Sequence, residues 1–310
     1  MRASAPLLLL VVVTAVWGVT FVQVQDAIAL YPLFAFLAVR FAISAVVLAP
    51  FAWRPLLALP RGGIVAGLGV GVLLACAYGF QTAGLDRTTV ASTGFITGLY
   101  VVFTPLLALW LFGTRVPAVA WAGVAFAVAG LLLLNGVPGG SAVGNVLVLV
   151  NALLQSFQIA SMERFAPRYD PRALTFLQMS SSCVGFVVLA LLLGQVELPR
   201  GGTVWGALLV TGIFAGALGY LIATWVQART TAARAALVFT LEAPFAALFG
   251  VLLADETLGW VGWTGCAVML TGILLAEPAA AGVLRRLVGR GAPKWTRSSS
   301  RSCRRRPTGR

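Results

Sequence analysis

The chain has 310 residues, of which 60% are hydrophobic and 10% are charged, and its mean hydropathy is +0.96. A soluble domain cannot bury so much apolar surface, so this composition excludes a soluble protein and indicates a chain that lies in a lipid bilayer. The formal net charge of +13 is concentrated at the C-terminus, because ten of the 22 basic residues follow Leu284.

Ten hydrophobic runs follow one another, each close to the roughly 20 residues that a helix needs to cross a hydrocarbon core of about 30 Å. The runs lie near residues 5–25, 31–52, 63–84, 90–112, 118–136, 142–163, 173–194, 203–225, 232–254 and 260–277. The connections between them are too short to hold a soluble domain. We therefore predict an all-α polytopic membrane protein with ten transmembrane helices.

The arginines of the loops predict how the chain is oriented. With the N-terminus in the cytoplasm, the cytoplasmic segments before the C-terminal tail hold nine arginines, and the outer loops hold two, Arg87 and Arg200. Cytoplasmic loops carry an excess of Lys and Arg in membrane proteins. We therefore predict a multi-pass protein of the cell membrane with both termini in the cytoplasm.

The second half of the chain repeats the first at an offset of 142 residues. The matched residues include Tyr78 with Tyr220, Thr82 with Thr224, Trp121 with Trp263, and Gly123 with Gly265. Each copy spans five helices, an odd number, so the second copy must run opposite to the first. Inverted repeats with a site near the bilayer midplane are the architecture of many secondary transporters.

These patterns divide the chain into three parts. Residues 1–137 are predicted to form the first five-helix repeat, 138–280 the second, inverted one, and 281–310 a basic, disordered cytoplasmic tail. The tail is expected to be solvated, with contact to anionic lipid headgroups as the alternative. Beside ten membrane spans we expect no nucleic-acid partner.

A carboxylate, Glu242, lies near the centre of the ninth run, and Pro244 follows two residues later. A charge at this depth costs about 2.5–3.5 kcal/mol, so an intramembrane acid usually serves a function. Proline has no N–H and weakens the helix around it. These features favour substrate binding or proton coupling at Glu242. A structural role, through a hydrogen bond or a pair with an arginine, stays open.

Arg40 is the second charge inside a predicted helix. A guanidinium is effectively always ionised, so it needs a carboxylate, a cluster of carbonyls or an anionic substrate. Glu242 is one candidate partner, and a structural or snorkelling role is favoured over direct binding of substrate. Tyr100, in the fourth helix, is the repeat mate of Glu242, so the two residues are predicted to face one another across the pseudo-symmetry axis.

Uncharged polar residues complete the candidate site. Asn151, Gln155 and Gln158 share one face of the sixth helix, which indicates either a wet cavity or a hydrogen-bond network between helices. Gln81 in the third helix is a weaker candidate of the same kind. Trp17 precedes a glycine in the first helix, where packing in the core is the default and cavity lining the alternative.

Several kinds of chemistry are absent from the sequence. It contains no histidine, its four cysteines show no paired spacing, and it has no phosphate-binding glycine loop or carboxylate cluster with metal-ligand spacing. We predict no catalytic residues, no metal and no cofactor, and the chain is not expected to be an enzyme. Without an ATP-hydrolysing module it cannot drive primary active transport alone.

Three stretches resemble the EamA-type transporters of the drug/metabolite transporter superfamily: Trp17-Gly18, Arg40-Phe41 and the run LEAPFAALFGVLLADE at 241–256. The resemblance covers about residues 5–278. It implies two inverted five-helix halves around a central cavity that helices 1–4 and 6–9 surround. It also implies that helices 5 and 10 lie at the periphery, where a homodimer can form. Gln155 and Gln158 depart from the family, which often has an aromatic residue here.

We therefore expect a secondary transporter that exports a small metabolite or drug-like solute by alternating access, driven by a proton gradient or by exchange. Its expected partners are a small-molecule substrate and the lipid bilayer. A membrane-embedded enzyme that acts on lipid-linked substrates is the first alternative. A membrane scaffold without flux of its own is the second.

Overall fold

The computed structural model describes residues 4–88, 90–113, 116–135, 140–253 and 257–276, and the predicted tail at 281–310 lies outside them. The described residues form ten helices. These are α1 (Ser4–Ile28), α2 (Leu33–Leu57), α3 (Arg61–Leu85), α4 (Val90–Gly98 and Tyr100–Phe112), α5 (Ala118–Asn135), α6 (Ala142–Phe165), α7 (Pro171–Leu192), α8 (Gly202–Leu209, Val210–Gly219 and Tyr220–Gln227), α9 (Ala232–Phe239 and Glu242–Leu253) and α10 (Trp260–Ala276). The prediction of an all-helical protein with ten helices is confirmed.

Eight of these helices, α1–α4 and α6–α9, are long and apolar enough to cross a membrane, and α5 and α10 are shorter apolar helices. Among the described residues, five exposed tryptophans lie near helix ends: Trp53, Trp110, Trp205, Trp260 and Trp263. Tryptophan is enriched where a bilayer meets water, so these positions agree with helices that span it. Because successive helices cross in opposite directions, the α1–α2, α3–α4, α5–α6, α7–α8 and α9–α10 loops share one end of the bundle. We call it the distal end, and the end with the N-terminus the near end.

A pseudo-twofold axis relates the two halves. Tyr78 and its repeat mate Tyr220 meet at the centre of the bundle, where their two hydroxyls form a hydrogen bond of 3.1 Å. Two residues that the same offset relates can contact each other only on the axis itself. The predicted repeat is therefore also a relation in space.

The same axis passes between α5 and α10, which pack closely against each other. A methyl group added at Gly130 would lie 2.7 Å from the carbonyl oxygen of Gly265, and one at Gly272 would lie 3.0 Å from that of Gly123. The offset of 142 converts the first pair into the second. Small residues allow such close approach of backbones in lipid. Each of these two helices therefore has the other as its main neighbour.

Two helices are interrupted at equivalent positions. The helix α4 breaks at Leu99, and α9 breaks at Thr240 and at Leu241, which is the repeat mate of Leu99. In α9 the cause is Pro244, which has no N–H to give to the Thr240 carbonyl four residues earlier. That carbonyl accepts from Ala243 N at 3.2 Å instead. Pro244, which was predicted to weaken the helix around it, thus follows a break that lies one turn earlier.

The middle of α8 is a π-helix, Val210–Gly219, which is wider than an α-helix. Side chains of other helices bind its carbonyls: Trp17 Nε1 donates to Ala215 at 3.0 Å, and Ser44 Oγ donates to Gly212 at 2.7 Å. A π segment of this kind is often found at functional sites. Here it ties α8 to α1 and α2.

Candidate functional site

Two neighbouring cavities share one wall, the side chain of Glu242. The larger has a volume of about 190 Å³ and the smaller about 30 Å³, room for roughly one water molecule. The larger one is lined mainly by α1, α4 and α9, and it reaches Thr257 and Leu258 in the loop after α9. The smaller one lies between α1, α2 and α3. Both lie between the centre of the bundle and its distal end.

The break in α9 places Glu242 between these cavities. Glu242 is the first residue of the second α9 segment, and its side chain is partly buried. The N-terminus of a helix carries a partial positive charge, which stabilises a carboxylate there. Broken helices that aim their half-helix ends at a midplane site are typical of secondary transporters. Glu242, which the sequence places near the centre of the ninth hydrophobic run, thus lies at a break within that helix.

Tyr100 occupies the equivalent place in α4. It is the first residue after that break, 3% of its surface is exposed, and it lines the larger cavity with Glu242. The predicted repeat mates thus lie in one cavity. Thr240, from the break of α9, lines it too.

Arg40 lines the smaller cavity, also together with Glu242. Only 4% of its surface is exposed, and its guanidinium carbon lies 4.8 Å from the ring centroid of Tyr78 and 5.8 Å from that of Phe41. Its Nε has no hydrogen-bond partner among the described residues. Arg40 also forms no salt bridge with them, since the one salt bridge in the described part of the chain joins Arg172 to Asp170. Arg40 is therefore held by aromatic faces, and its charge and that of Glu242 face the same space without a direct pair.

A hydrogen-bond network connects the predicted amides to the larger cavity. Asn151 Nδ2 donates to Thr97 Oγ1 at 3.1 Å, and Gln81 Nε2 approaches the same oxygen at 3.4 Å. Thr97 lines the larger cavity and Gln81 the smaller one. The network therefore joins α3, α4 and α6 at the boundary between the two spaces.

The other predicted residues occupy different positions. Trp17 lines the smaller cavity, where its ring packs 5.2 Å from that of Tyr220. Gln155 is partly buried beside Tyr220. Gln158 is buried and donates to Gln178 Oε1 at 3.1 Å, in a bond between α6 and α7. Gln158 lines neither cavity. Of the two roles that the sequence allows, a wet cavity or a hydrogen-bond network between helices, its position corresponds to the second.

Sequence reasoning missed several residues of the site. Thr97, Thr240 and the small face of α9 with Ala246 and Ala247 all line the larger cavity. Threonine and alanine are common in membrane helices, so their presence carried little signal. For Thr240 the one signal was its position four residues before Pro244, which leaves the Thr240 carbonyl without its helical donor.

The near end of the bundle is closed by direct contacts. Glu163 Oε2, in the last turn of α6, accepts from Ala232 N at the start of α9 at 2.9 Å. An apolar cluster that includes the buried residues Met162, Ala166 and Leu174 packs beside it. Neither cavity is lined by residues of the near-end loops. In this conformation the cavities extend only toward the distal side.

Comparison of the sequence with known proteins gives three findings. The profile of the EamA-like transporter family matches residues 4–136 and again 142–276. An uncharacterized transporter of Archaeoglobus fulgidus is 30% identical over 268 residues, 86% of this chain and 84% of the relative. A chloroplastic WAT1-related protein of Arabidopsis thaliana is 28% identical over 281 residues, 84% of this chain and 66% of the relative.

A solved crystal structure has the same fold. It has a TM-score of 0.75 and 20% sequence identity, and the match covers 91% of this chain and 99% of the other. At this identity the similarity concerns the fold alone.

Proposed function

The chain belongs to the EamA-like transporter family, and from this premise we propose that it is a secondary transporter that exports a small metabolite or drug-like solute by alternating access. The family assignment decides against the membrane-embedded enzyme. The observation that carries the proposal is the position of Glu242, a carboxylate at a helix break that two cavities share. The larger cavity is the solute site in this proposal.

The geometry supports exchange at one carboxylate. A solute in the larger cavity meets Thr97, Tyr100 and Glu242, which offer two hydroxyls and one acceptor group. When Glu242 is ionised, its charge balances that of Arg40 across the smaller cavity. When Glu242 binds a proton, Arg40 is left as the one charge there. A proton and a donor group of the solute therefore compete for the same oxygens, which couples their movements.

Alternating access needs a second conformation, in which the repeats 1–137 and 138–280 have moved relative to each other. The near end then opens and the distal end closes, so that Glu242 faces the other side of the membrane. Inverted repeats give this pair of states because each half can adopt the conformation of the other.

The proposal is tested by a thermal-shift screen of metabolites and drug-like compounds on the purified protein. A ligand at 100 times its Kd stabilises the folded state by about 2.7 kcal/mol, which is easily seen. A compound that binds is then loaded into proteoliposomes, and its counterflow is measured. A ligand with no counterflow, or no ligand in a broad screen, favours the scaffold.

The orientation of the chain is part of the proposal and has its own test. Arg200, in the α7–α8 loop, and Arg168, between α6 and α7, are both exposed. In a background without Cys76, Cys183, Cys266 and Cys303, we expect a membrane-impermeant maleimide to label Arg200→Cys in intact cells and Arg168→Cys only after lysis. The reverse pattern would place both termini outside.

The bond between Glu163 and Ala232 is predicted to hold the near end closed. In Glu163→Ala a charge-assisted hydrogen bond of about 1.5–3 kcal/mol is lost, which shifts the closed-to-open equilibrium by roughly 10–150-fold. We expect a cysteine at Ala236, buried on α9, to react faster with maleimide in this variant than in the parent.

Glu163→Gln is the matched control, since its amide oxygen can still accept from Ala232 N. It should label at nearly the parent rate. Equal labelling in Glu163→Ala and the parent would show that this bond does not govern opening.

A homodimer through the outward faces of α5 and α10 remains a prediction. The mass of the protein in nanodiscs, measured by light scattering, would distinguish one copy from two.

A further inference from the structure

A third hollow, larger than both cavities of the candidate site, lies on the outer surface of the bundle. It has a volume of about 470 Å³ and runs between α3 and α7 toward the distal end. Its floor consists of small residues, Ala75, Gly79, Ala83, Ser181 and Gly185, and Arg87 lies at its distal rim. We call it the α3–α7 groove.

The two helices diverge as they approach the distal end, which creates the groove. Near the middle of α3 they touch, because Ser182 Oγ donates to the carbonyl of Gly71 at 2.9 Å. Further along, a methyl group added at Gly79 would lie 3.5 Å from Phe186, and one at Gly185 would lie 3.7 Å from Ala75. These separations leave room for added atoms. Exposed Val72, Phe80 and Leu189 line the groove, so it faces the hydrocarbon of the bilayer.

The second half of the chain shows what the groove lacks. At the offset of 142, Gly79 corresponds to Leu221 and Ala83 to Trp225. Both residues of the second half pack against the apolar core of the bundle. The fold therefore does not require a groove here, and the first half has small residues where its repeat has large ones.

Arg87 and its mate Arg229 differ in the same way. The guanidinium carbon of Arg229 lies 4.0 Å from the ring centroid of Trp225, and its Nη1 donates to the Trp225 carbonyl at 2.6 Å. Since Ala83 replaces that tryptophan in the first half, Arg87 has no such ring. Within the described parts of the chain it forms no salt bridge, and its side chain is exposed at the rim.

We propose that the α3–α7 groove binds a phospholipid, with one acyl chain along the small floor and the phosphate at Arg87. An acyl chain supplies the apolar atoms that Leu221 and Trp225 supply in the other half. A phosphate supplies the partner for an exposed guanidinium at the membrane surface, which is the contact that Arg makes best. An empty hollow of this size would forfeit dispersion contacts along its whole lining. For comparison, a cavity of about 150 Å³ is enough for benzene.

Native mass spectrometry of the full chain, released from detergent that contains phosphatidylglycerol, tests the proposal. The parent protein should retain one lipid. The double variant Gly79→Leu with Ala83→Trp, which copies the second half, should lose it. Arg87→Gln should bind about fivefold more weakly because one cationic contact is gone. The control Arg229→Gln, at the mate that stacks on Trp225, should bind like the parent.

Retention of lipid by the double variant would overturn the proposal. A change of the double variant from dimer to monomer, with no change in bound lipid, would also overturn it. The occupant of the groove would then be a second copy of the chain. If the double variant fails to fold, the exposed thiol of Cys76 in the groove serves as the probe. Phosphatidylglycerol should slow its alkylation by maleimide in the parent and less so in Arg87→Gln. An equal rate with and without lipid would contradict the site.

Discussion

Replacing Glu242 by glutamine should uncouple the movement of the solute from the proton gradient while the protein stays folded. The amide has the shape of the carboxyl group and, like the protonated acid, offers both a donor and an acceptor, but it cannot bind and release a proton. Coupling energies between two ligands are typically about 1–3 kcal/mol. We therefore expect the accumulation of solute that a pH gradient drives to fall by roughly 5–150-fold. The measurement is uptake into proteoliposomes with and without a pH gradient, with the compound found in the thermal-shift screen as solute.

Two comparisons make this result specific. Glu163→Gln applies the same chemical change to a glutamate that lines neither cavity, and it should keep its pH-dependent flux. If Glu242 also orients the solute, the ligand-induced thermal shift falls in Glu242→Gln as well. Unchanged pH-dependent flux in Glu242→Gln would remove this residue from the coupling mechanism and leave it a structural role.

The substitution Gly18→Ala should destabilise the protein strongly, although it adds only one methyl group. That methyl would lie 2.7 Å from the backbone nitrogen of Ala246 and 2.7 Å from Phe245 Cβ, so α1 and α9 would have to separate. Overpacking of this kind costs about 1–3 kcal/mol. Because Ala246 lines the larger cavity, the separation also deforms the candidate site. The measurements are the midpoint of thermal unfolding in detergent and the shift that a ligand induces.

Gly69→Ala is the matched control. Gly69 lies inside α3 with no atom within 4 Å of an added methyl group, so the change should be neutral or stabilise the helix by up to about 1 kcal/mol. Equal midpoints for Gly18→Ala and the parent would mean that α1 and α9 approach less closely than the structure shows. A loss at both positions would point to a general intolerance of alanine in these helices.

The sequence was sufficient to predict the helices, because hydrophobic length is a one-dimensional property. The repeat also predicted that Tyr100 faces Glu242, since an odd number of spans implies an axis between equivalent positions, and both residues line one cavity. The break in α9 followed from Pro244. The break in α4 did not, because it comes at Leu99, after Gly98, without a proline four residues later.

Partners of individual polar side chains were beyond the reach of the sequence. Hydropathy does not show which face of a helix meets which neighbour, so the bond of Gln158 to Gln178 across α6 and α7 was one alternative among two. The position of Arg40 was equally open. Its guanidinium carbon lies 4.8 Å from the ring centroid of Tyr78. That contact depends on how α2 and α3 cross, which the sequence does not show.

The pair of helices α5 and α10 illustrates a further limit. The resemblance placed them at the periphery, and the structure adds that they pack on each other through Gly130 and Gly265. A glycine in a membrane helix predicts a close contact but not its partner. The contact between Gly123 and Gly272 is the repeat equivalent of the contact between Gly130 and Gly265. Its presence shows that the close approach of α5 and α10 belongs to the symmetry of the fold.

The hydrogen bond between Tyr78 and Tyr220 has a consequence that follows from its place on the twofold axis. A bond between two hydroxyls has one donor and one acceptor, so it can never share the symmetry of the two halves. The two hydroxyls lie 3.1 Å apart, and either one can donate to the other. Exchanging donor and acceptor rotates the hydrogen about each C–O bond and exchanges the roles of the two repeats without moving a helix. The centre of the bundle therefore has two hydrogen-bond arrangements within one arrangement of the helices.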